Sequence, residues 1–200
     1  GGSFLRDRAL AGYDSIAFPG EDEDEFFRLD LYNALDNLGL YWHVPNIQAF
    51  HSIVPNSIME FYPYVGVKRD VSSKPEVNNY ALRPLLSVKY LAASPSEKAE
   101  KLMPGFHFSF SQFGYDFYEN ENYLPMGFGY TTGVRQSVLD TAPLSLRSNV
   151  MLEAVGLSDE AMDRNAGFLS EMESIDYSAL NTDGMEEAVE ERRQYTCDTF

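Results

Sequence analysis

Between Phe106 and Phe113 the chain reads FHFSFSQF, with an aromatic side chain at almost every second position. A period of two is the period of a strand, and so strict an alternation leaves this stretch little else to be. YDFYEN (115–120) and YLPMGFGYTT (123–132) follow at hairpin distance, so an antiparallel meander is predicted over 106–131. Asn120-Glu121-Asn122 has the composition of a turn of hairpin length, because asparagine tolerates the left-handed backbone that such turns use. Pro125 falls where a strand edge tolerates a missing donor.

The meander needs partners, and the rest of the chain offers them. Ser87 to Ala93 is apolar, aromatic and β-branched, which suits a central buried strand, and a short helical turn is predicted just before it from residue 80. FFRLDLY (26–32) alternates, with Phe27, Leu29 and Leu31 on one face and Arg28, Asp30 and Tyr32 on the other; it reads as a half-buried strand. LYWHV (40–44) reads as another, ended by Pro45-Asn46. Ile58, Met59, Phe61 and Tyr62 make a helical stripe within 50–67, with Ser52 or Asn56 as cap and Pro63 limiting its continuation. A short helix is predicted over 94–103, with Glu97 and Lys101 paired at i,i+4. From residue 143 three further helices are predicted: 143–157 ending at Gly156, one opening at Ser158-Asp159-Glu160, and 184–194. The expected fold class is α+β with α/β character: a mixed sheet containing an antiparallel meander, helices packed on it, and a helical C-terminal segment. The expected divisions are an irregular arm with an acidic run (1–25), an α/β core (26–135) and a helical acidic segment (136–200).

Charge follows the same divisions. The chain's formal net charge is −16. Residues 151–200 carry thirteen acids against Arg164, Arg192 and Arg193, whereas 31–150 hold ten acids and nine bases. The near-neutral centre is the expected core, and the acidic ends are solvated edges. A field of this sign repels nucleic acid and anionic membrane surfaces, so neither is an expected partner. Cys197 is the only cysteine, which rules out an internal disulfide. No run of about 18 apolar residues is present, so no membrane span is predicted within these residues. Gly1-Gly2-Ser3 stands where a Met would start a native chain, and the sequence is expected to be a piece of a longer protein.

Candidate chemistry is sparse. His43, His51 and His107 are too scattered for a zinc site, and Cys197 has no partner cysteine. The acidic run at 21–25 lacks the spacing of a calcium loop. No phosphate-binding or dinucleotide glycine pattern occurs, so no metal and no cofactor is expected. Ser52 lacks a nucleophile elbow and reads as a helix cap. Glu119 and Glu121 lie two apart, as paired carboxylates of glycoside chemistry can, but they flank a predicted turn and read as solvated. No catalytic residue is assigned. Arg83 and Lys89 stand beside strongly apolar stretches and need partners, for which Asp70, Asp116 or Glu119 are candidates. Tyr115, Phe117, Tyr118 and Tyr123 could stack on sugars, with core packing expected to take about half of them. The candidate binding residues are therefore Arg83, Lys89, Tyr115, Tyr118, Glu119 and Tyr123.

At FHSIVPNSIMEFY (50–62), LLSVKYL (85–91) and YDFYENENYLPMGFGY (115–130) the chain resembles the bacterial YfhO-type membrane proteins. GYDSI near the start, and more loosely RSNVMLEAVGL and GMEEAVEERRQ, extend the likeness over roughly residues 11–195. The resemblance implies a domain on the outer face of the bacterial cytoplasmic membrane, within a polytopic glycosyltransferase of the GT-C type. It implies as partners the protein's own transmembrane region, a glycan, or a polyprenyl-phosphate-linked sugar, with teichoic acid as a typical acceptor. Two features that the family leads one to expect are missing here: a β-sandwich with a glycine-tryptophan motif after Phe200, and the catalytic carboxylate, which belongs to a membrane-proximal outer loop. The domain itself is therefore expected to be non-catalytic. The residues leave two alternatives open: a stand-alone module binding a carbohydrate or a protein, and a small hydrolase using Glu119, Glu121 or His51.

Overall fold

The structure is a computed structural model, and it describes residues 2–13, 16–20, 25–48, 56–68, 73–97 and 103–196. The predicted acidic run, the first part of the helix from residue 50, most of the helix over 94–103, and His51, Ser52, Asp70 and Cys197 lie outside the described residues.

The arm begins with a helical turn, α1 (Gly2–Phe4), that runs into a π-helical stretch over Leu5–Leu10. A mixed four-stranded sheet follows. Its strands are β1 (Arg28–Asp30), β2 (Val88–Ala93), β3 (Phe106–Gln112) and β4 (Tyr115–Asn120), in the order β1-β2-β4-β3. β1 runs parallel to β2, and the other two pairings are antiparallel. The parallel pair requires a crossover, which carries α2 (Leu38–Trp42), α3 (Asn56–Tyr64) and α4 (Leu82–Leu85).

The β3–β4 hairpin is where the alternation placed it, but its turn is Phe113-Gly114, both at positive φ (50° and 74°). Two left-handed residues in a two-residue loop match the right-handed twist of the flanking strands. Asn120-Glu121-Asn122 also turns, but without positive φ, and it leads the chain out of the sheet. The stretch over 123–131 therefore does not complete the meander; β4 has β2 as its second neighbour. The strand expected at 40–44 is instead the short helix α2, flanked by Asn37 and His43 in the left-handed region. Its burial explains the change, because Leu38 and Trp42 are one turn apart and both enter the core.

Each face of this sheet is covered. On one, Leu29, Tyr90, Ala92, Tyr115 and Phe117 pack against Trp42, Leu38 and Ala9. Phe18 enters this cluster from the arm, 5.1 Å from the Tyr90 ring and 5.8 Å from that of Phe117, while Phe110 and Phe117 stack at 4.6 Å. On the other, Val88, Leu91, Ala93, Phe106 and Tyr118 pack against Ile47 and Met103.

The C-terminal segment is helical, as expected, and it also contains a second sheet. β5 (Thr132–Arg135) lies between β6 (Val155–Leu157) and β7 (Ser170–Met172), parallel to both. α5 (Gln136–Leu139), α6 (Arg147–Glu153) and α7 (Asp159–Asn165) fill its connections. The helix predicted over 143–157 thus stops at Glu153, and Gly156 sits in β6, where an added Cβ would come 2.9 Å from Leu139. Ser158 caps α7 by accepting from the Ala161 N–H, as its position predicted. The last helix, α8 (Thr182–Arg193), buries Met185, Ala188 and Val189 against Leu152, Leu124 and Ala81, and so bridges α6 to the α4 region.

Candidate functional site

Asp30 and Arg83 organise the region where β1 meets the crossover. Both side chains are fully buried, and Arg83 Nε donates to Asp30 Oδ2 at 3.0 Å. Burial of a lone charge costs several kcal/mol, so every remaining donor on Arg83 needs an acceptor. Nη1 donates to the carbonyls of Glu76 (2.7 Å) and Asn79 (2.8 Å), and Nη2 to that of Pro75 (3.2 Å). The second oxygen of Asp30 accepts from Gln48 Nε2, and Gln48 Oε1 accepts from the Leu31 N–H at 2.8 Å. Tyr62 seals the next layer by donating to the Ile47 carbonyl at 2.5 Å; burial pushes its phenol up to about 12.

This framework backs a cleft of about 210 Å³, lined by Tyr32, Asn33, Gln48, Lys74, Pro75, Glu76 and Val77. The lining residues Pro75, Glu76 and Gln48 are the ones tied to the buried ion pair. At the mouth, Asn33 donates to Glu97 Oε1 at 3.1 Å and Lys74 lies 3.6 Å from Asp36.

The expected site residues are not gathered at one place. Arg83 has Asp30 as its partner, not Asp116 or Glu119, and Asp70 lies outside the described residues. Lys89 pairs with Glu25 at 2.6 Å, and its ammonium lies 5.6 Å from the rings of Phe27 and Tyr123 and 5.8 Å from that of Tyr90. A cation–π setting of this kind holds the lysine in place. Tyr123 stands beside it and donates to the Phe26 carbonyl at 2.9 Å. Tyr115 is buried edge-on to Trp42 at 5.6 Å, and Tyr118 is buried in the opposite core against Phe108. Glu119 is exposed on β4, in register with Tyr90 on one side and His107 on the other. Exposed His107 meets Glu121 at 3.0 Å. None of Glu119, Glu121 and His107 lines the cleft, and no group of three or more His, Cys, Asp or Glu among the described residues could hold a metal.

The cleft was hidden from sequence reasoning because its wall depends on Gln48 and on the buried Asp30 that holds Gln48 from behind. Asp30 alternates as though it faced water, and Gln48 follows a Pro-Asn stop signal.

A separate electrostatic feature lies at the C-terminal end of α6. Glu153 is half-buried, and its carboxyl is raised to about 7, by burial first and then by Asp176, Glu191 and Glu187. Arg192, fully buried on α8, donates to the Gly129 carbonyl at 2.9 Å and lies 4.7 Å above the Tyr130 ring.

No described helix is long and apolar enough to cross a membrane. Comparison with curated proteins and with solved structures finds no match. The family model described as bacterial membrane protein YfhO matches residues 11–196, nearly the whole length, and the chain belongs to that family.

Proposed function

We propose that this chain is an extracytoplasmic accessory domain of a polytopic bacterial membrane glycosyltransferase that acts on cell-envelope polymers. It is not itself catalytic. It holds a glycan or a polyprenyl-phosphate-linked sugar near its own transmembrane region, where the chemistry takes place. Family membership supports the membrane context. The observation that carries the non-catalytic reading is the use of Arg83 and Lys89: both cations are tied to carboxylates of the chain, and neither lines the cleft described above. A general acid or base must come within hydrogen-bond reach of its substrate, and the exposed Glu119, Glu121 and His107 stand away from the cleft.

Two measurements test this reading. Alkaline phosphatase fused within this domain in the full-length protein should be active, and activity only of a cytosolic reporter at the same position overturns the outer-face placement. The isolated chain should leave polyprenyl-phosphate sugars unhydrolysed and untransferred, and turnover by it overturns the accessory role.

A further inference from the structure

The cleft between β1 and the residue 74–77 segment has the dimensions and chemistry of a small-ligand site. Pockets for drug-sized ligands run to roughly 300–1,000 Å³, so a space of about 210 Å³ takes a molecule of the order of a single ring. Its polar lining is dominated by groups that bond hydroxyls in pairs: the amides of Asn33 and Gln48 and the phenol of Tyr32. Gln48 spends one amide hydrogen on Asp30 and one lone pair on Leu31, which leaves one of each for a ligand. Val77 and Pro75 add an apolar side against which the C–H face of a ring can lie.

Charge decides against an anion. Among the described residues Lys74 is the only base in the lining, and it is answered by Asp36 at 3.6 Å, while Glu76 in the lining and Glu97 behind Asn33 add two more acids. A phosphate or carboxylate entering here meets net negative charge, which raises its cost. The walls are also set in advance. The buried Arg83–Asp30 pair fixes the Pro75 and Glu76 carbonyls on one side and Gln48 on the other, so little ordering remains to be done on binding.

We propose that this cleft binds one uncharged, polyhydroxylated ring, such as a single neutral sugar residue within a glycan, and that it rejects the phosphate of a lipid-linked donor. The proposal names the ligand class of the accessory domain and rests on that reading only for the origin of the ring.

The test uses the whole 200-residue chain with ¹⁵N-labelled amides, titrated separately with methyl glucoside, methyl N-acetylglucosaminide and inorganic phosphate. A neutral glycoside should shift the side-chain amides of Gln48 and Asn33 with millimolar affinity, and phosphate should leave them unmoved. Val77→Phe, which fills the cleft, should abolish the shifts at Gln48. Asn33 has φ 50°, so Asn33→Gly removes the amide without straining the backbone; it should weaken binding by up to about tenfold, the loss of one hydrogen bond. The proposal is overturned if no neutral glycoside moves these amides, if phosphate moves them more strongly, or if affinity is unchanged in both variants. None of these outcomes bears on which side of the membrane the domain occupies, so failure here and failure of the topology test are separable.

Discussion

Arg83 shows how far single residues could be read. Its place in YALRPLL marked it as a base beside apolar neighbours that would need a carboxylate, and the structure supplies one. The identity of that carboxylate was not legible. Asp30 alternates with Leu29 and Leu31, a pattern that normally turns an acid toward water, but here the sheet is covered on both faces, so the polar side of β1 is interior as well. Removing one partner of a fully buried pair leaves the other charge stranded, at a cost of about 3–5 kcal/mol. Arg83→Met should therefore destabilise the fold by about 3–5 kcal/mol and lower the denaturation midpoint accordingly, and Asp30→Leu added to it should restore a large part. Equal stability of wild type and Arg83→Met in a urea titration would show that the pair is not the keystone of this region. The tyrosines divided in a similar way: Tyr115 and Tyr118 went to the two cores, and Tyr123 to a position beside Lys89.

At the scale of elements, legibility followed length. β2, β3 and β4 run six or seven residues and carried enough alternation or apolar density to be found. β6 and β7 are three residues each, too short for any periodic signal, and they are held by pairing with β5 across long separations in sequence. The α6–α8 contact makes its own prediction. Glu153 holds a proton in the folded state up to about pH 7, against an ordinary carboxyl value of 4.5. The folded chain then binds more protons than the unfolded chain between those values, so stability falls as pH rises through that window. The stabilisation is fully present below pH 4.5 and gone above about 7. Glu153→Gln should flatten this part of the melting-temperature profile. An unchanged slope in the variant, or a carboxyl ¹³C titration of Glu153 centred near its ordinary value, would refute the assignment.

At the scale of the molecule, two sheets share one chain and α8 ties the second to the first by way of Leu124 and Ala81. The net charge of −16 acts on the whole. Like charges repel most in the compact state, and added salt screens them. Melting temperature should rise by a few degrees from low to physiological ionic strength, even though exposed contacts such as Arg135 with Asp159, Asp163 and Glu171 weaken; a fall would mean that such pairs outweigh the general repulsion. Mixed sheet, central strand and C-terminal helices were readable because each answers to local pattern, whereas the second sheet and the cleft depend on contacts between distant segments. The parallel pairing of β1 with β2 has one more consequence, and it concerns time. The β3–β4 hairpin closes over two residues, but β1 meets β2 only after the span from residue 31 to residue 87 has been gathered in. Closing so long a loop is slow and entropically expensive. In a chain that emerges in order β1 therefore stays unpaired until β2 exists, whereas the β3–β4 hairpin closes as soon as its own residues are present.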